Sequence, residues 1–175
     1  MNRVLVILMM MVSLMGAEAF GQSKPSGRPC NQGDVAGAWA LLSLRPLIEA
    51  PPGDPDFFPY QVWVFTAEGK YIKMSKAAPI SKNEYDPFID KAQSESGMLT
   101  TTYEVNEKKA YVKLQPAGGA QPFYLSCFTM TSDYVDAGKQ IDMRRGDILL
   151  DLKSKDGRTL IAHLFRKIRQ AKIAR

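Results

Sequence analysis

Five side chains in one short stretch have the types and spacing of a binding wall. Gln61, Trp63 and Phe65 alternate along one extended run, and Tyr71 and Lys73 alternate along the next. Ala67-Glu68-Gly69 joins the two runs, and a glycine closing a three-residue loop fits a type I turn with a bulge. That register sets Phe65 opposite Tyr71, Val64 opposite Ile72 and Val62 opposite Met74. One face of the hairpin is then aromatic with polar members. The other, made of Val62, Val64, Ile72 and Met74, is wholly apolar. If the aromatic face points inward, Trp63, Phe65 and Tyr71 form a ligand wall with Lys73 as the counter-ion of a carboxylate. If the apolar face points inward, the aromatics form an exposed patch that needs a protein partner or cover from another segment. The apolar pattern favours the second orientation, but ligand cavities mix aromatic and polar residues, so both stay open.

Other chemistry is sparse. The 175 residues include one histidine, His163, and two cysteines, Cys30 and Cys127. A metal site needs more ligands than these. No Gly-x-Ser-x-Gly, phosphate loop, calcium loop or haem-attachment motif is present, so no cofactor is expected. The acid pairs Asp54/Asp56 and Asp133/Asp136 fall in loop-like stretches, where solvated carboxylates are the default. A barrel enzyme such as an isomerase would need titratable groups converging inside, and the inward pattern read here has almost none. The expectation is a protein that binds and does not catalyse.

Residues 1–19 have the form of a secretory signal. Arg3 supplies the positive start, an apolar run follows, and Ala17-Glu18-Ala19 is the small-x-small pattern of a cleavage site. The run is 12 residues against the roughly 20 that cross a bilayer. Cleavage near Ala19 places the mature chain in the periplasm or outside the cell, where Cys30 and Cys127 are expected to pair. Charge is uneven. Residues 139–175 carry 11 Lys+Arg against 4 Asp+Glu, densest at Arg166, Lys167, Arg169, Lys172 and Arg175. This end reads as a solvated helix or tail, or as weak contact with an anionic membrane surface. Nucleic acid is not an expected partner of an exported chain without interleaved aromatic and basic residues.

The elements that position these residues read as antiparallel β. After a Ser/Pro/Gly-rich arm over 20–34, a first strand covers 36–44. A proline-rich loop follows over 46–59, because no strand interior holds that many prolines. After the 60–74 hairpin, a polar stretch over 76–97 reads as a loop with a short helix. A second hairpin pairs 99–105 with 110–114, and another strand covers 123–130, with a weaker segment near Ile141. The last hairpin turns at Lys155-Asp156-Gly157. A bulged turn places Ile148, Leu150, Leu152, Leu160, Ala162 and Leu164 on one face, with Arg166 next, and is preferred. A two-residue Asp-Gly turn would set Leu160 opposite Lys153 and bury His163 instead. Eight or nine strands at this spacing, the first lacking an obvious partner but the last, make a sandwich or barrel.

Gly37-Ala38-Trp39 opening the first strand and Arg166 closing the last resemble the lipocalin family, specifically its divergent bacterial lipocalin-like members. Thr131-Ser132-Asp133-Tyr134 is a loose second likeness. The resemblance implies a barrel over 35–168, with Gly37, Trp39 and Arg166 closing its floor through a cation on an indole face. The tail over 169–175 would follow the barrel, with 167–175 standing where the family has its C-terminal helix. It further implies a cup for a small hydrophobic or amphipathic molecule. Trp39 would reach into that cup, and Phe57 and Phe58 would lie in the loop at its mouth, where they gate a ligand, touch a membrane or fold over the core. The alternative is a filled barrel that engages a protein or the envelope surface through Trp63, Phe65, Tyr71 or the basic end.

Overall fold

The structure, a computed structural model, describes residues 25–136, 141–154 and 156–171; the signal segment, Lys172 and Arg175 lie outside them. The chain opens with β1 (Gly27–Pro29), a single helical turn α1 (Gln32–Val35) and β2 (Gly37–Pro46). Next come β3 (Tyr60–Phe65), β4 (Lys70–Lys76), helix α2 (Lys82–Ser94), β5 (Thr101–Asn106), β6 (Tyr111–Gln115) and β7 (Phe123–Met130). A small separate hairpin of β8 (Tyr134–Asp136) and β9 (Ile141–Met143) precedes β10 (Ile148–Lys153) and β11 (Thr159–Gln170).

Among the described residues, eight antiparallel strands close in the order β7-β10-β11-β2-β3-β4-β5-β6, with β6 returning to β7. The fold is all-β. Closure leaves no free edge on the ring. β2, the strand read from sequence over 36–44, pairs with β11, the last, as expected from its lack of a near neighbour. β1 lies outside the ring, on the same edge of β7 as β6 but further along it. The arm then crosses beneath the barrel: Asn31 caps α1 through the Asp34 N–H at 2.9 Å, and Val35 enters the core.

The hairpin of β3 and β4 has the register read from its turn, with Phe65 opposite Tyr71, Val64 opposite Ile72 and Val62 opposite Met74. Its orientation is the opposite of the favoured one. Trp63, Phe65 and Tyr71 point into the barrel, at 4%, 0% and 9% exposure, so they are no surface patch. The apolar face points out and is covered. Val62 and Val64 pack with Ile89 and Ala92 of α2, joined by Tyr85 and Phe88. The polar stretch over 76–97 thus hides an amphipathic helix. Its start is set by Glu84, whose carboxylate accepts from the Ser81 N–H at 2.9 Å and hydroxyl at 2.8 Å. Lys76 of β4 also pairs with Glu84, and these contacts hold the Glu84 carboxyl down at about 2. Arg169 of β11 bonds Asp86 and Asp90, clamping the helix to the last strand.

A turn over 106–109 would set Val105 opposite Ala110 and Tyr103 opposite Val112; the second hairpin is slipped by two residues from that pairing. Val105 lies opposite Val112 and Tyr103 opposite Leu114, because the turn extends to Ala110 in a left-handed conformation (φ 52°). A two-residue slip preserves the faces, so Tyr103, Val112 and Leu114 remain inside.

The last hairpin corrects the preferred reading. Ile148 pairs with Phe165, Leu150 with His163 and Leu152 with Ile161. The pairing shifts by one between Leu152 and Lys153, which lies opposite Thr159. Leu160 is therefore the extra residue of a bulge, and a bulge exchanges the faces of everything beyond it. His163 and Phe165 face the barrel with Ile161, while Ala162 and Leu164 lie on the outside. The same exchange moves the floor cation. Lys167, not Arg166, lies over Trp39, its ammonium 4.6 Å from the ring centroid. Arg166 instead bonds the buried Asp147 through two nitrogens at 2.8 and 3.0 Å. No C-terminal helix covers 167–170, because β11 runs through Gln170. The basic run is therefore structural where it is described, with Arg166, Lys167 and Arg169 all engaged. Gly37 is needed where it stands: its φ is 141°, and a Cβ there would come within 2.7 Å of the Arg169 carbonyl oxygen.

Candidate functional site

One end of the barrel is sealed. Trp39, 1% exposed, donates its indole N–H to the Val35 carbonyl at 2.8 Å. Tyr103 donates to the Thr66 carbonyl at 2.8 Å and accepts from Gln32 at 3.0 Å, tying the arm to the wall. Phe65 sits against Tyr71 and Tyr103, each at 5.0 Å between ring centroids. Cys30 and Cys127 are joined in a disulfide beside this floor.

The other end holds a cavity of about 210 Å³. Its walls come from strands all around the ring: Trp63 and Tyr71, Leu114 and Leu125, and Leu152, Ile161 and His163. Inward residues alternate with outward ones along a strand, so each of these strands contributes one or two side chains. Trp63 is the central surface, with Phe165 at 4.7 Å, His163 at 5.2 Å and Tyr71 at 5.5 Å between centroids. Thr101, Pro116, Phe123, Asp56 and Lys73 complete the lining. Phe123, 52% exposed, marks the rim.

Four titratable groups meet here, more than the inward pattern read from sequence contained. The bulge in β11 supplies His163, the orientation of the first hairpin supplies Tyr71 and Lys73, and the proline-rich loop brings in Asp56. Pro55–Phe57 form one 3-10 turn, capped by Asp54, whose carboxylate accepts from the Asp56 N–H at 2.9 Å. From this turn Asp56 pairs with Lys73. Gln61 holds the loop from within. Its amide donates to the carbonyls of Asp56 (3.1 Å) and Phe58 (2.9 Å), and its oxygen accepts from the Trp63 indole at 2.7 Å. Gln61 is 2% exposed, so this is a buried, satisfied link from loop to wall.

His163 is 3% exposed and lies 3.0 Å from the Leu150 carbonyl through Nδ1. A carbonyl only accepts, so Nδ1 carries the proton and Nε2 is an acceptor. Burial holds the imidazole down at about 4, so it is neutral at pH 7 and far from the basicity that suits proton transfer there. Burial likewise pushes the Tyr71 phenol up. With Lys73 and Asp56 neutralising each other, the site at neutral pH is an apolar box with a few fixed polar points.

Neutral His163 makes stability depend on pH. The unfolded imidazole titrates near 6.5 and the folded one near 4, so protons bind the unfolded chain preferentially between these values. The stabilisation is complete above about pH 6.5, declines on acidification and is gone below about pH 4, a loss of about 3 kcal/mol. Urea unfolding at pH 7 and pH 4.5 checks this. His163→Phe should lose less stability over that interval than the unaltered protein, and equal losses would refute the assignment.

Of the residues singled out from sequence, Trp63, Tyr71 and Lys73 line the cavity. Trp39 and Phe65 lie deeper, in the floor and core. Phe57 and Phe58 are half-buried on the mouth loop, where the Phe58 carbonyl anchors Gln61. Sequence reasoning places Gln61 on the right face without its link to the loop, and reads Asp56 as a solvated carboxylate, because no local pattern shows what a loop side chain reaches. His163 did have a signal, the alternative turn register.

No family model, curated protein or solved structure matches the chain. Likeness to lipocalin-like barrels therefore rests on the closed eight-stranded antiparallel ring.

Proposed function

We propose that the protein is an exported binding protein that holds a small hydrophobic or amphipathic molecule in the mouth of a lipocalin-like barrel, without catalysis. The observation that carries this reading is the cavity of about 210 Å³ between Trp63, Leu114, Leu125, Leu152 and Ile161, with few polar groups converging on it. Such composition is that of ligand sites, where apolar walls supply affinity and a few fixed polar atoms supply orientation. The volume is below the roughly 300–1,000 Å³ of sites for drug-sized ligands, which favours a short or compact ligand. The buried disulfide suits an oxidising compartment, in keeping with a signal over 1–19.

Native mass spectrometry of the protein purified from an exporting host, followed by organic extraction, tests the reading. The expected result is a bound small molecule whose occupancy drops in Trp63→Ala. A mass matching the unliganded chain, unchanged across a panel of short lipids and metabolites, would overturn it.

A further inference from the structure

We propose that the ligand is a small amphipathic carboxylate whose acidic head displaces Asp56 from Lys73, so that the 51–58 loop acts as a strap latched by an internal stand-in for the ligand. The proposal rests on the cavity being a binding site and specifies what enters it.

The argument starts from the asymmetry of the ion pair. Lys73 projects from β4 opposite Trp63 in the hairpin register, and its side chain is 30% exposed. Asp56 projects from a 3-10 turn in a proline-rich loop, and its side chain is 48% exposed. Both line the cavity, and among the described residues Lys73 is the only cation in the lining. A ligand with a polar head must break or bypass this pair. A cationic head would take Asp56 and leave Lys73, the less exposed of the two and carried on a strand rather than a loop, without its ion-pair partner. An anionic head takes Lys73 and releases Asp56, which swings into solvent with its loop. Leaving the less exposed of the two charges unpaired is the costlier outcome, so the arrangement selects the anion. The ligand's apolar body then lies on Trp63 and the Leu114, Leu125, Leu152 and Ile161 walls.

The latch has a second point. Gln61 joins the carbonyls of Asp56 and Phe58 to the indole of Trp63, so the closed loop is held to the same ring that the ligand's body would touch. Asp56 and a ligand carboxylate compete for one ammonium. Removing the competitor should raise the affinity for acids and leave neutral ligands unaffected. A site whose competent form is only fractionally populated binds more weakly by that fraction.

Calorimetric titration of the full oxidised chain at pH 7 with hexanoate and with 1-hexanol, which share a six-carbon tail, tests this. Hexanoate should bind at least tenfold more tightly than hexanol. Asp56→Asn should tighten hexanoate severalfold with hexanol unchanged. Lys73→Gln should abolish the preference while keeping hexanol binding, which also shows that the variant is folded; Lys73→Arg should retain it. Amide exchange at 54–58 should speed up with saturating hexanoate and not with hexanol. Hexanol binding as tightly as hexanoate, or no gain in Asp56→Asn, would overturn the carboxylate latch and leave the binding reading standing. Failure of both probes to bind would overturn both.

Discussion

Replacing Cys30 and Cys127 with alanine lowers the melting temperature by about 5–15 °C. The bridge spans 97 residues, and closing a loop of that size restricts the unfolded chain by an amount typically worth about 2–5 kcal/mol. For a domain of this size each kcal/mol moves the midpoint by about 2–4 °C. The effect is reinforced in the folded state. The bridge fixes the arm to β7 just where the Cys30 N–H donates to the Cys127 carbonyl at 3.2 Å, and both residues are at most 1% exposed. Val35 and α1 depend on that anchor to reach the floor, so amide exchange over 27–39 should accelerate before the rest of the barrel is affected. Calorimetry of the oxidised, reduced and double-alanine proteins measures it. Two free thiols in the native oxidised protein with an unchanged midpoint would end the claim.

Trp39→Ala costs about 3–5 kcal/mol, the range for truncating a large buried aromatic. Trp39 is 1% exposed, packs in the same cluster as Cys30, Val35, Phe65 and Phe165, and carries two further interactions. Its N–H satisfies the Val35 carbonyl, and Lys167, which also donates to the carbonyls of Asp34 and Ala36 at 3.0 Å, covers its ring. The indole thus links the arm, the first strand and the last. Trp39→Phe should keep much of the packing and cost less than half as much. The measurement is the urea midpoint at unchanged slope. A near-neutral Trp39→Ala would show that the floor does not close the barrel.

Much of the fold was legible from local signals. Gly69 closing a three-residue loop set the register of β3 and β4 without error, because turn length and register are coupled. The strand spacing indicated the barrel, and an unpartnered first strand pointed to its pairing with the last. The site was less legible. Both faces of the first hairpin are buried, one by the barrel and one by α2, so alternation had no solvent side to identify. Helix α2 was legible only as a short helix within a polar stretch; its packing on the wall was not, because its mean polarity is high and only residues such as Ile89 and Ala92 face inward. His163 and the floor cation were displaced by a single bulge at Leu160.

The sequence by itself determined strand periodicity, the main turn geometries, the cysteine pair and the stock of aromatics available for an interior. These follow from neighbours a few residues apart. Only the tertiary structure decided which side of β3 faces in, that Asp56 meets Lys73 and that Lys167 covers Trp39. The physical reason is that a strand's period of two leaves the choice of face undetermined. That choice is made by whatever packs on the far side, here a helix and a loop whose partners lie in other parts of the chain.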